Sequence, residues 1–405
     1  MKKIELLAPA GDLEKLKTAV DYGADAVYFG GEIGSLRAAA GNLSTDDIRD
    51  GVEYCHKHNR KAYLTVNIYA HNEDIDNLKA FIKNIKDLDI DAFIVSDPAV
   101  IEIIKSNVKD PEIHLSTQAN VTSYESANFW YKQGVKRLIL ARELTLSEID
   151  TIHQNIPKDM ELEAFVHGAM CISYSGRCLL SNFMTDRDGN RGECAQPCRW
   201  NYHLMEEQRP GEYFPIEEDN RGTYIMNSKD LCMIRHIPEL AKSGVVSAKI
   251  EGRMKSAYYV ATIVRAYRKA IDEYYNDPHK YTFKEEWWNE LLKASHRDFT
   301  TGFFFHKATG DDQDYLTSGY KRGSTFSGIV RGYDRERGLF QVEQRNKISV
   351  GDTIEVFGPD IEYYEMKVQQ MYDGKMEPIQ SAPHAQQIIY MPLPMATQTG
   401  WMLRK

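Results

Sequence analysis

Cysteine is scarce in this chain: six residues in 405, with four crowded between Cys171 and Cys198 while Cys55 and Cys232 stand alone. Long apolar runs are missing. None approaches the roughly 20 residues that a bilayer-spanning helix needs, which excludes a helical membrane protein. Positive charge is in deficit, with 50 Lys and Arg against 59 Asp and Glu and a net charge of −9. A protein that coats nucleic acid through its whole surface would show the opposite balance. The opening "MKKIELLAPAGDLEKLK" has two lysines, but Pro9, Gly11 and Asp12 break its apolar run at once, unlike a signal peptide. A cytoplasmic, reducing location is therefore expected, where structural disulfides are rare. Three catalytic signatures are absent too. No H-E-x-x-H supplies zincin ligands and base. The string "SYSG" is not the G-x-S-x-G elbow of a serine hydrolase. "GGEIGSLRAAAG" is glycine-rich but lacks the G-x-G-x-x-G spacing of a dinucleotide site.

What is present is the composition of a folded globular protein, 42% apolar and 27% charged. Toward the N-terminus, short β-branched runs alternate with amphipathic stretches. The runs are "IELLAP", "DAVYFGG", "AYLTVN", "AFIVSD", "IHLST", "RLILARE", "LEAFVHG" and "SAKIEGR". Between them, segments such as "DLEKLKTAVDYG" space their apolar residues at i, i+3, i+4, with Asp, Ser or Thr at their starts. Strands alternating with helices in this way predict a parallel (β/α)8 barrel of the TIM type.

In such barrels the reacting groups come from the C-terminal ends of the strands. Those ends carry Asn67, Asp97, Gln118, Arg142, Glu143, His167, Lys249, Glu251 and Arg253. Asp97 precedes Pro98 and is expected to cap a helix instead. Residues 169–245 form a cysteine-rich insertion before the eighth strand, so its thiols should emerge at the barrel mouth. The expected division is a barrel over 1–275 including that insertion, a helical and aromatic connector over 276–318, and a small all-β barrel domain over 319–405. The last follows from the short alternating runs "FSGIVRGYD", "GLFQVEQ" and "DTIEVFG" and the turn signals "DRERG", "SVGD" and "FGPD".

The clustered cysteines read C-x6-C-x15-C-x3-C. A disulfide framework would need an oxidising compartment. Structural zinc accepts four thiolates, but its usual C-x2-C or C-x4-C knuckle is missing. Four thiolates from a loop can also hold an iron–sulfur cube. Local composition favours the cube: Gly176, Gly189 and Gly192 allow a tight wrap, and Arg177, Arg191 and Arg199 can offset thiolate charge. The C-x3-C-x2-C of radical-type clusters is absent. Zinc stays open. Cys232 is an alternative ligand or a small buried hydrophobe, and Cys55 a bystander.

"EAFVHGAMCISYSGRCLLSNF" resembles the signature of the collagenase-like peptidase family of unassigned mechanism. "NSKDLC", "KIEGRMKS", "SHRDFTTGFF" and the opening "ELLAPAGDLEKLKTAVDYGADAVYFGG" are similar to that family as well. The resemblance covers essentially the whole chain. It implies an oxygen-independent hydroxylation protein with a four-iron, four-sulfur cluster, acting on transfer RNA wobble uridine, on a ribosomal RNA cytidine, or in ubiquinone synthesis. "GECAQPCRWNYHL" and the C-terminal domain are most similar to the transfer RNA branch, which makes 5-hydroxyuridine and uses prephenate. The ligands implied are Cys171, Cys178, Cys194 and Cys198, with Cys232 as the alternative.

Prephenate has two carboxylates, so basic groups are expected at the mouth. Arg142, Arg177, Lys249 and Arg253 serve, with Asn67 and Gln118 beside them. His167 and Glu251 are the acid–base candidates. Exposed anticodon bases stack on aromatics beside cations. Trp200 with Arg199, and Tyr333 with Arg331, Arg335 and Arg337, fit that role. The second set lies in 319–350, which carries seven Lys or Arg against three Asp or Glu. The competing readings are a peptidase using a Cys171/His167 dyad, a ribosomal RNA cytidine hydroxylase, and a zinc-stabilised, non-catalytic RNA-binding protein. A homo-oligomer or a paralogue as partner subunit stays open.

Overall fold

The computed structural model describes residues 2–35, 42–171, 178–189, 192–200, 203–204, 214–215, 229–307, 320–360 and 362–405. It divides into two compact units: Met1–Val20, Ala24–Lys255 and His296–Lys321 form the first, and Asp21–Gly23, Ser256–Ser295 and Arg322–Lys405 the second.

The first unit is a closed parallel barrel. Its strands are β1 (Glu5–Pro9), β2 (Ala26–Gly30), β3 (Lys61–Val66), β4 (Ala92–Val95), β5 (Ile113–Leu115), β6 (Arg137–Ile139) and β7 (Glu161–Ala169), paired in sequence order. The insertion after β7 carries α7 (Leu180–Thr185) and a short antiparallel pair, β8 (His203–Leu204) with β9 (Phe214–Pro215). Next, β10 (Asp230–Cys232) returns antiparallel to the end of β7, placing Cys232 opposite His167. The eighth barrel strand, β11 (Val245–Ile250), follows α8 (Ile237–Lys242). Ala248 pairs in parallel with both Ala164 of β7 and Leu6 of β1, which closes the ring. A two-residue strand, β12 (Phe299–Thr300), extends β10.

Helices α1 (Leu13–Asp21), α2 (Thr45–Lys57), α3 (Ile75–Ile85), α4 (Pro98–Asn107), α5 (Tyr124–Lys132) and α6 (Leu146–Gln154) follow β1 to β6 in turn. Their starts obey local chemistry. Ser44 with Asp47 and Thr145 with Glu148 form capping boxes. Asp97 caps α4 by accepting from the Ala99 N–H at 2.7 Å, with Pro98 at the first helical position, as expected. Helix α3 buries Leu78, Phe81, Ile82 and Ile85, the i, i+3, i+4, i+7 set. Burying each such side chain contributes about 1.5–3 kcal/mol.

The barrel interior is partly ionic. Arg137 is 3% exposed and bonds Glu5 and Glu161 at 2.6 Å each and Glu163 at 3.2 Å. It joins β6 to β1 and β7, and its charge holds Glu161 down to about 2 against the opposing pull of burial. His114 of β5 is wholly buried, edge-on to Tyr63 at 4.8 Å, and burial lowers its pKa against the opposing pull of its Glu112 partner.

The second unit contains α9 (Ala257–Asn276), α10 (Glu285–Lys293) and an antiparallel half-barrel. Its main sheet runs β17 (Tyr363–Lys367), β16 (Thr353–Phe357), β22 (Met402–Arg404), β13 (Phe326–Asp334), β14 (Leu339–Gln344), β21 (Ile388–Met391), β18 (Met371–Tyr372) and β19 (Pro378–Ile379). A side pair, β15 (Ile348–Ser349) with β20 (Ser381–Ala382), completes it. Val330, Val342, Ile354, Val356, Ile389 and Leu403 fill the core. The buried Arg404 grips Glu290 through two bonds of 2.6 and 2.9 Å and Glu355 at 2.6 Å, fastening β22 to α10 and β16. Among the described residues no helix is long and apolar enough to cross a membrane.

Candidate active site

Polar side chains from the strand ends meet over the barrel mouth. Asn67, just past β3, donates through Nδ2 to Gln118 Oε1 at 2.9 Å, reaching across the end of β4. Ser116 donates to the same oxygen at 3.3 Å. Ser96, at the end of β4, donates to the Asn67 carbonyl at 2.8 Å. Beside this network, Arg253 follows β11 and is 4% exposed. Its guanidinium donates to Ser35 Oγ at 2.7 Å, Thr65 Oγ1 at 3.2 Å and Asn42 Oδ1 at 2.9 Å. A Cβ on Gly30 would lie 2.2 Å from Arg253 Nη2 and from Ser35 Oγ. Glycine at the end of β2 is what lets the arginine reach this seat.

Lys249 stands differently from its strand-end reading. The register sets it beside Phe165 of β7 and Leu7 of β1, one layer below the mouth. It is 3% exposed, bonds Glu163 at 2.9 Å and lies 4.3 Å from the centre of the Tyr28 ring. Burial lowers its pKa while Glu163 opposes that shift. Both it and Arg142 approach the Phe165 ring: the lysine lies 5.4 Å and the guanidinium 4.9 Å from the ring centre. Arg142 then turns outward, donating to the Ala169 carbonyl at 2.8 Å and to Cys171 Sγ at 3.7 Å. Glu143, next along, has a buried Oε2 without a hydrogen-bond partner, and burial raises its pKa.

None of the six cysteines forms a disulfide. Cys171 and Cys194 are exposed, Cys178 and Cys198 half-buried, and Cys55 and Cys232 buried. Besides the Arg142 contact to Cys171, the Leu180 N–H donates to Cys178 Sγ and the Gln196 N–H to Cys194 Sγ, both at 3.4 Å. The two cysteine-bearing stretches adjoin. The Ala195 N–H donates to Ser181 Oγ at 2.9 Å, and a Cβ on Gly189 would lie 3.5 Å from Cys194 Cβ and 3.9 Å from the Cys178 carbonyl oxygen. Among the described residues no three His, Cys, Asp or Glu side chains converge as they would around a metal ion. What the structure offers a metal there is donor chemistry alone: four thiols outside any disulfide, three of them receiving N–H donors. Residues 172–177, including Arg177, lie outside the described residues.

His167 lies on β7 between β10 and β11, 1% exposed, its ring 5.5 Å from that of Phe299. Burial, then the neighbouring His296 and Lys255, push its pKa down to about 3. That shift favours the neutral ring, whereas the sequence reading offered His167 as an acid–base group near neutrality. Glu251 donates its backbone N–H to the His167 carbonyl at 2.8 Å. Gly168, at φ +108°, has no room for a Cβ, which would lie 2.6 Å from the Glu251 carbonyl oxygen.

Of the RNA-facing candidates, Trp200 is 45% exposed, and only the backbone of Arg199, closing a 3-10 turn, is described. In the second unit, Arg331 bonds Glu343 at 2.8 Å and Arg337 bonds Asp334 at 2.7 Å. Arg335 is exposed, and Tyr333 is 40% exposed, its ring 4.6 Å from that of Phe340. Sequence reasoning missed Glu163, Ser116, Ser35 and Asn42 as site residues. Glu163 alone left a signal, a carboxylate in the middle of the apolar run "LEAFVHG".

The sequence profile of peptidase family U32 matches residues 11–314, and that of the peptidase family U32 C-terminal domain matches residues 322–404. The tRNA hydroxylation protein P1 of Bacillus subtilis is 42% identical over 404 residues, covering 100% of this chain and 95% of that protein. A collagenase of Porphyromonas gingivalis is 33% identical, covering 95% of this chain and 93% of its own length. A 23S rRNA 5-hydroxycytidine synthase of Escherichia coli is 36% identical over 270 residues, covering 67% of this chain and 39% of that protein. Matched by the two profiles over most of its length and by the Bacillus subtilis relative over all of it, this chain is a member of peptidase family U32.

Proposed function

We propose that the chain is an RNA-hydroxylating enzyme that converts the wobble uridine of transfer RNA to 5-hydroxyuridine, with prephenate as co-substrate. The observation that carries this reading is the position of Cys171, which leaves β7 directly at a polar barrel mouth and accepts a hydrogen bond from Arg142. The full-length likeness to a protein named for tRNA hydroxylation supports it. Cys171, Cys178, Cys194 and Cys198 would hold a four-iron, four-sulfur cluster, with Cys232, buried in β10, as the alternative ligand. Such a cluster, when bound, supplies one-electron redox chemistry.

The chain's own residues do the rest. Arg253, fixed by Ser35, Thr65 and Asn42, presents a cation to a carboxylated co-substrate. Arg142 stands between the mouth and the first thiol. Glu143, its pKa raised and one oxygen unbonded, is placed to hold a proton at the mouth. Trp200 offers an exposed ring for base stacking. Peptide cleavage by Cys171 needs an imidazole that takes up a proton near neutrality. His167, buried and pushed down to about 3, lacks that basicity.

Nucleoside mass spectrometry of transfer RNA from a strain lacking this chain and its paralogues tests the reading. Loss of 5-hydroxyuridine and its derivatives, restored by the intact chain, is expected. Unchanged levels would reject it.

A further inference from the structure

The amide of Gln118 is fixed in one sense. Its Oε1 accepts from Asn67 Nδ2 at 2.9 Å and from Ser116 Oγ at 3.3 Å. Its carbonyl accepts from Tyr69 Oη at 2.7 Å and from Asn120 Nδ2 at 2.9 Å, and Asn120 turns the chain with φ 53°. Both oxygens are thus engaged and the backbone is pinned. What remains is the side-chain NH2, which can only donate. No acceptor meets it among the described residues, although the residue is 7% exposed. The Nε2 atom is not sealed from solvent, so it is open to a ligand that brings an acceptor.

Resting on the proposed hydroxylation of uridine, we infer that Gln118 selects the base by donating to the oxygen at pyrimidine position 4. Uracil carries an acceptor there, whereas cytosine carries an amino group that can only donate. Two donors facing each other disfavour the wrong base. Position 4 also neighbours the carbon to be hydroxylated, so the contact that reads the base locates its reacting edge. The base reaches the mouth by leaving its stack, as anticodon-loop bases do readily. A relative is named for 5-hydroxycytidine synthesis, which makes cytidine the base to test against.

Binding of fluorescent anticodon stem-loops, identical except for uridine or cytidine at the wobble position, tests this without any need for turnover. The proteins are the full-length chain, Gln118→Glu and Gln118→Leu, each checked for an unchanged unfolding midpoint. The wild type should bind the uridine loop about tenfold more tightly, the worth of one discriminating hydrogen bond. Gln118→Glu keeps an oxygen for Asn67 and Ser116 but exchanges the donor for an acceptor, and should level or invert the ratio. Gln118→Leu should weaken the uridine loop about tenfold and the cytidine loop little. A wild-type preference that survives in both variants, or a wild type that binds both loops equally, overturns the inference. A wild type that binds neither loop overturns the transfer RNA reading and this inference with it.

Discussion

Cys55 and Cys171 show how far environment separates two residues of one type. Cys55 is buried in α2, and burial pushes its thiol up to about 12, whereas Cys171 is exposed and faces a guanidinium. Iodoacetamide applied to native, cluster-free protein should modify Cys171 and Cys194 first and leave Cys55 untouched until unfolding. Peptide mapping that finds native Cys55 modified would contradict this. His167 makes a second prediction. Its folded pKa of about 3 lies below the ordinary 6.5, so between those values the unfolded chain binds a proton that the folded chain does not. This residue's stabilising effect is therefore full above pH 6.5 and lost on acidification, by about 1.4 kcal/mol per pH unit. Denaturant melts between pH 4 and 6.5 should show a shallower slope for His167→Asn than for the wild type, and equal slopes would refute the assignment. The thiols and the strand-end amides were legible because type and position in a motif suffice to find them. The state of His167 was not, because it depends on β10 and Phe299, which arrive from distant parts of the chain.

Among the elements, the strands were readable because parallel strands are buried on both faces and appear as continuous apolar runs. Their relative heights were not. Lys249 reads as a mouth residue by counting from the strand end, yet the pairing of β11 with β7 seats it below, against Glu163. The interior ion network was hidden for the same reason, since Arg137 finds Glu5 across 132 residues of sequence. Arg137→Met would leave Glu5, Glu161 and Glu163 short of their shared cation and should cost about 3–5 kcal/mol, read as a lower denaturant midpoint. A cost under about 1 kcal/mol would mean that the network contributes little to the barrel. Gly30→Ala tests the mouth itself. The added methyl must displace Arg253 or Ser35, so hydroxylation should fall steeply while the secondary structure, followed by circular dichroism, stays intact. Full activity in that variant would remove Arg253 from the site.

For the molecule as a whole, the family likeness spans both units, while every mouth residue and all four clustered thiols belong to the first. The basic segment of the second unit is less free than its charge count suggested, because Arg331 and Arg337 bond acids of their own hairpin. A count of charges along a chain does not say which of them meet. The account as a whole depends on the four thiols being committed to iron rather than to attack on a peptide bond. Iron and sulfide analysis with visible absorption, on full-length protein purified without oxygen, tests that commitment most directly. The expected result is a brown protein with about four iron and four sulfide per chain, falling sharply in Cys171→Ser. Colourless protein that holds stoichiometric zinc, or no metal, and still hydroxylates RNA would contradict it.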